Sequence, residues 1–235
     1  QTVSGAGTFN NGFIRNPTLN NTNTAIPNIN WQFNINIAYN LSLTNAKVEM
    51  TGYKMTWGHN AAGNTLTVGT GSGFLPGAKY ARWWTTAQTG SSINAGSDPT
   101  TTTSRYPFIN SLGQNRSFWV ERSTSSTTGN TAGELAVVYT DGTGMTTGLS
   151  IDDGAYTITD RFNGYWTVTA ENGYVYVSGT HEPATVAPSA YLALNGNSRL
   201  MYASAALPGA HQNGTTTPGA QRSGLTTAEL TGGAI

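Results

Sequence analysis

The residues able to do chemistry are few in this chain and far apart. Glu121 shares strand parity with Trp119, so the two side chains occupy one face. A partner at Glu134 or Glu171 would give it the paired carboxylates of a glycoside hydrolase, which stand about 5 to 9.5 Å apart in a cleft. Against this, Glu171 falls in an expected hairpin turn and Glu121 adjoins Arg122 at a strand end. All three glutamates therefore read first as solvated or salt-bridged, and no catalytic residue is assigned. His59, His181 and His211 form no H-E-x-x-H or other close ligand spacing and read as turn or loop residues.

The absence of cysteine excludes a thiolate metal site and a disulfide framework. No G-x-S-x-G elbow occurs, and the glycine-rich stretch Gly69–Gly73 lacks the lysine and following helix of a phosphate loop. Asp141-Gly142-Thr143-Gly144 and Asp152-Asp153-Gly154 offer oxygen ligands at turns. Asp141, Asp152 and Asp153 are thus the calcium candidates, although neither turn is an EF-hand loop and calcium takes six to eight oxygens. No other cofactor is expected. The remaining binding handle is Trp83-Trp84. In a strand these point to opposite faces, so one belongs to the core and the other meets solvent, another domain or a sugar ring.

The elements that would position these groups are strands. From Ile29 to Leu43 the odd positions are Ile29, Trp31, Phe33, Ile35, Ile37, Tyr39, Leu41 and Leu43, and polar or small residues separate them. Such alternation specifies an extended chain with one buried face, and a helix would scatter the same residues around its circumference. Unbroken, the run would reach roughly 50 Å, so it is either bent by a bulge or corner or part of an elongated sheet. Val48 and Met50 shift the parity, which places a turn near Asn45 and Ala46.

Residues 1–100 form an N-terminal β region, solenoid-like or a meander, with a boundary in the Gly-, Ser- and Thr-rich stretch at 87–104. Residues 101–207 read as an antiparallel β-sandwich of short strands separated by Asp-Gly and Asn-Gly turns. Glu171-Asn172-Gly173, between Trp166–Val168 and Tyr174–Val177, is the clearest expected hairpin. Residues 208–235 read as an extended tail or connector, with one helical turn at Leu225–Leu230.

The chain is therefore expected to be all-β. Charged residues make up 9%, and eleven basic residues balance eleven acidic ones, so no net field draws it to nucleic acid or an anionic membrane. No apolar run reaches the roughly 20 residues of a membrane-spanning helix. A start at Gln1 fits either a mature form whose export signal has been removed or a boundary inside a longer sequence. Four Asn-x-Ser/Thr sequons, at Asn20, Asn40, Asn115 and Asn213, are expected by chance in so Asn- and Thr-rich a chain.

Arg105-Tyr106-Pro107-Phe108, the run Glu134–Asp141, Asn163–Val168 and Arg222–Leu230 resemble phrases of a module of secreted surface proteins of Bacteroidota that export through the type IX system. The stretch Asn64–Gly73 is similar to the Thr/Gly-rich β-solenoid repeats that precede such modules. The resemblance implies an extracellular, cell-surface, adhesin-like protein. No type IX sorting domain follows residue 230, so a longer parent protein or another export route is expected. The partners expected are other copies of the chain, other surface proteins and glycans. The function expected is a non-catalytic structural or adhesin role, including a self-assembling filament or coat subunit. A carbohydrate-binding module is the alternative, and a glycoside hydrolase the second.

Overall fold

The computed structural model describes residues 2–3, 13–58, 65–87, 104–124, 126–153, 156–185, 200, 224–231 and 235. The alternating run at 29–43 is bent. It follows β1 (Thr2–Val3), β2 (Phe13–Ile14) and β3 (Thr18–Asn20), and divides into β4 (Ile29–Trp31), β5 (Ile35–Ile37) and β6 (Leu41–Thr44). Ile29, Trp31, Ile35, Ile37, Leu41 and Leu43 are all buried, so the inward register is carried through both corners. Only Tyr39, on the second corner, turns out to solvent, with the Arg15 guanidinium over its ring.

Asparagines hold the corners. The backbone amide of Asn40 donates to Asn16 Oδ1 at 3.1 Å, and that of Thr65 donates to Asn40 Oδ1 at 2.9 Å. Each corner side chain thus takes up an N–H of the next turn of chain that would otherwise lie outside any ladder. Asn34 Oδ1 does the same for the amide of Lys54 at 2.7 Å. The buried Asn28 accepts from the amide of Lys47 and donates to the carbonyls of Asn21, Asn23 and Asn45. Asn45 itself takes a φ of 54° in the turn that the parity shift places there.

The next elements are β7 (Lys47–Glu49), β8 (Lys54–Trp57), β9 (Leu66–Val68), β10 (Gly73–Phe74) and β11 (Lys79–Trp84). Every strand from β4 to β11 pairs in parallel with the strand three places earlier. Three parallel sheets result, ordered β1-β4-β7-β10, β2-β5-β8-β11 and β3-β6-β9. Parallel neighbours cannot be joined by tight hairpins, which sets this region apart from a meander.

The rest of the chain builds onto β11. It comprises β12 (Arg105–Tyr106), β13 (Phe118–Arg122), β14 (Gly133–Thr140), β15 (Met145–Thr146), β16 (Ile151–Asp153), β17 (Tyr156–Ile158), β18 (Arg161–Phe162), β19 (Tyr165–Glu171), β20 (His181–Thr185) and α1 (Thr227–Thr231). β14 pairs antiparallel with β11, and β19 with β14, so one six-stranded sheet runs across the boundary expected near residue 100. An antiparallel sheet ordered β12-β13-β20 supplies the opposing aromatics. Phe118 stacks on Trp166 with centroids 5.4 Å apart, and Tyr106 meets Tyr80 edge-on at 5.9 Å. Segment 107–109 crosses the free edge of β10, where a Cβ on Gly73 would come within 2.6 Å of the Pro107 carbonyl. Only glycine fits there.

Two expectations are revised. Glu171-Asn172-Gly173 does reverse locally, with the Tyr174 amide donating to the Glu171 carbonyl and both Asn172 and Gly173 at positive φ. The strand beyond does not fold back on β19, however. Val175 pairs with Thr131, one residue out of step with the β14–β19 ladder, so the dipeptide makes a bulge that lets the same ladder continue. The C-terminal segment, expected as a tail or connector, is docked at its described residues. Leu225 pairs antiparallel with His181, Thr226 and Glu229 form a capping box for α1, Leu230 is buried, and Ile235 pairs with Trp166.

Candidate functional site

Residues in register across a sheet share a face, so the outer face of the six-stranded sheet can be read from its pairing. Lys54 stands beside Lys79, Trp83 beside Glu134, and Glu134 beside Glu171. The small residues Thr56, Ala81 and Ala136 form the floor between them and are buried beneath the longer side chains. Lys54 Nζ donates to Glu134 Oε2 at 2.7 Å and to Glu171 Oε2 at 3.0 Å, and Lys79 Nζ pairs with Glu171 Oε1. The chain has three lysines in all, and two of them meet here.

The electrostatics follow from that geometry. Burial alone would lower the Lys54 pKa, but the hydrogen bonds and charges of Glu134 and Glu171 outweigh it and raise the pKa above the ordinary lysine value. Burial likewise works to raise the Glu171 pKa, and Lys79 and Lys54 together bring it below the usual carboxylate value. The two carboxylates thus lie on one ammonium, charge-balanced by two lysines. Trp83, half-buried, flanks this network on the same face.

Trp84 occupies the opposite, inner face and has no exposure to solvent. Its Nε1 donates to Tyr106 Oη at 3.3 Å, and the guanidinium groups of Arg82 and Arg122 lie over its ring at 4.0 and 5.1 Å. A fully enclosed ring cannot carry a sugar, so Trp84 is ruled out as a glycan platform. The inner cluster continues into a hydrogen-bonded relay. The Leu225 carbonyl can only accept, so His181 Nδ1 carries its proton and donates to it at 3.1 Å. His181 Nε2 is then the acceptor for the Tyr174 hydroxyl at 2.7 Å, and Tyr174 Oη in turn accepts from Arg122 Nε at 3.1 Å. Arg122 Nη1 completes the relay by donating to the carbonyl of Thr85 at 2.6 Å. Burial holds the His181 pKa down at about 4, with the charge of Arg122 acting in the same direction, and pushes the Tyr174 pKa up to about 12.

The other sequence candidates are dispersed. Glu121 lies opposite Glu182 on the β13–β20 ladder, and the glutamates that meet are Glu134 and Glu171. His181 is a buried strand residue instead of a loop residue. His59 and His211 lie outside the described residues. Asp141 accepts from the amide and hydroxyl of Ser111 through Oδ2 and from the Tyr139 hydroxyl through Oδ1, so both carboxylate oxygens serve the fold. Asp152 is an exposed residue of the β16–β17 hairpin, and the side chain of Asp153 is outside the described set. Among the described residues no group of three or more His, Asp or Glu side chains converges as a metal site.

Lys54, Lys79, Arg82, Arg122 and Tyr174 are absent from the sequence candidates. Arg82 left a signal, because it shares parity with Tyr80 and Trp84 and therefore faces inward. Comparison with family models, curated proteins and solved structures finds nothing that matches this chain. Among the described residues no helix is long and apolar enough to cross a membrane.

Proposed function

We propose that the chain is a non-catalytic structural module of an extracellular surface protein, adhesin-like and able to assemble with copies of itself. We read its N-terminal part as a three-sided β-solenoid and the remainder as a two-sheet sandwich that caps it. The observation that supports this most is the contrast between the two ends of the stack. At one end β1, β2 and β3 are the outermost strands of all three sheets among the described residues. At the other, β14 and β19 continue the longest sheet, and Ile235 covers part of the β19 edge through paired hydrogen bonds with Trp166. The edge of a sheet can recruit another strand. A second copy docking along β1, β2 and β3 would extend all three sheets at once. The resemblance to Bacteroidota surface modules fits this reading.

Chemistry at the Glu134–Glu171 pair is disfavoured because Lys54 lies between the carboxylates, where a glycosidic oxygen would have to enter. Size-exclusion chromatography across a concentration series, with electron microscopy of the concentrated sample, tests the assembly. Dimers or filaments are expected. A monomer at every concentration would remove self-assembly and leave the adhesin role. Polysaccharide hydrolysis abolished by Glu134→Gln would overturn the non-catalytic reading altogether. The second reading, a glycan-binding face, is favoured by one observation: the half-buried Trp83 flanks the Lys54–Glu134–Glu171–Lys79 network.

A further inference from the structure

We propose that Arg82, Tyr80 and Tyr106 form a site for one small monovalent anion of halide size, enclosed between the six-stranded sheet and the β12-β13-β20 sheet. Arg82 is 1% exposed and forms no hydrogen bond or ion pair with any described residue, and its Nη1 is buried without a partner. Its contacts are the faces of Trp57 and Trp84, at 5.5 and 4.0 Å from the ring centroids. An indole lying on the guanidinium plane answers part of the charge but none of the N–H donors, which point outward in that plane. A buried cation left in this condition is costly unless an acceptor reaches it.

Two more donors stand beside it. Tyr80, fully buried on the same face of β11, has a hydroxyl without a partner. Tyr106 Oη accepts from Trp84 Nε1, which leaves its own proton to give. The tyrosine rings meet edge-on at 5.9 Å, and Arg82 acts electrostatically on both hydroxyls. One aromatic cluster of the core therefore holds a guanidinium with an unpartnered N–H and two tyrosine hydroxyls with protons to give. The neighbouring charge is the Arg122 guanidinium over the other part of the Trp84 ring, which adds positive potential. A halide accepts from several donors at once and has no polar group of its own to satisfy. The aromatic walls favour it over a polyatomic anion. Full burial implies that the ion is taken up as the two sheets close and acts as part of the core.

The test is thermal unfolding of the full chain in sodium chloride against sodium gluconate at matched ionic strength, with gluconate as the anion too large to enter. Chloride should raise the midpoint saturably, by roughly 5 °C or more at a hundredfold excess over its dissociation constant. Crystals grown in bromide should show an anomalous peak beside Arg82 Nη1. Tyr80→Phe should weaken the chloride response several-fold, and Arg82→Met should abolish it. Should Arg82→Met fail to fold, Tyr80→Phe and the bromide peak decide. Equal stability in the two salts, no bromide peak near Arg82, or a chloride response unchanged in Tyr80→Phe would overturn the proposal.

Discussion

Acidification should destabilise the protein through His181. The imidazole is neutral in the fold because Nδ1 donates to the Leu225 carbonyl and Nε2 accepts from Tyr174. A second proton would set two donors against each other at Nε2, next to a buried arginine. Its pKa is about 4 in the fold against 6.5 when exposed. The unfolded chain therefore takes up a proton below pH 6.5 while the native chain does not, and stability falls as pH falls. The loss is about 2 kcal/mol by pH 5 and approaches about 3 kcal/mol near pH 4, at 1.36 kcal/mol per unit. Glu171 acts in the same direction, but its folded pKa is depressed, so its contribution is lost only below the ordinary carboxylate value. Comparison with His181→Gln separates the contribution of this histidine from that of other groups. Urea unfolding followed by tryptophan fluorescence at pH 7.5 and 5.0 measures the difference. His181→Gln should be less stable at pH 7.5, yet should show little further loss at pH 5.0. Wild-type stability constant to within about 0.5 kcal/mol between the two pH values would refute the reasoning. So would an equal loss in His181→Gln.

Three further outcomes follow from named contacts. Lys54→Met strands the buried Glu134 carboxylate and should cost about 3 kcal/mol, while Lys54→Met/Glu134→Leu should recover most of that loss, as read by a urea-denaturation cycle. Asn40→Ala removes the acceptor for the Thr65 amide and should lower stability by about 1 kcal/mol in the same assay, with no change in secondary structure by circular dichroism. If the glycan-binding reading holds, Trp83→Ala should abolish any binding on a glycan array without lowering the unfolding midpoint by more than a few degrees.

Much of the β architecture was legible because alternation is a local property. The run 29–43 announces its buried face residue by residue, and the parity shift after it marks the turn at Asn45. Strand order was not legible. The corners between β4, β5 and β6 depend on asparagine side chains reaching the next turn, 20 or more residues away, and nothing in the local pattern distinguishes a corner asparagine from an exposed one. Asn172-Gly173 misled for a related reason. Positive φ at two residues suits a tight hairpin and a bulge equally well, and only the partner at Thr131 decides. The candidate site was visible in part. Adjacent tryptophans must diverge, and they do, but the Lys54–Glu134–Glu171 network needs four strands in register, and no spacing in the sequence expresses that.

The claim on which everything else depends is that each described strand from β4 to β11 lies in parallel on the one three places before it. The absence of cysteine allows a clean test by paired substitution. Ser42 and Thr67 are direct neighbours on β6 and β9. Ser42→Cys/Thr67→Cys should therefore oxidise to an intramolecular disulfide without loss of structure, visible by mass spectrometry after cleavage. Free thiols after oxidation of the folded protein would contradict the stacked arrangement.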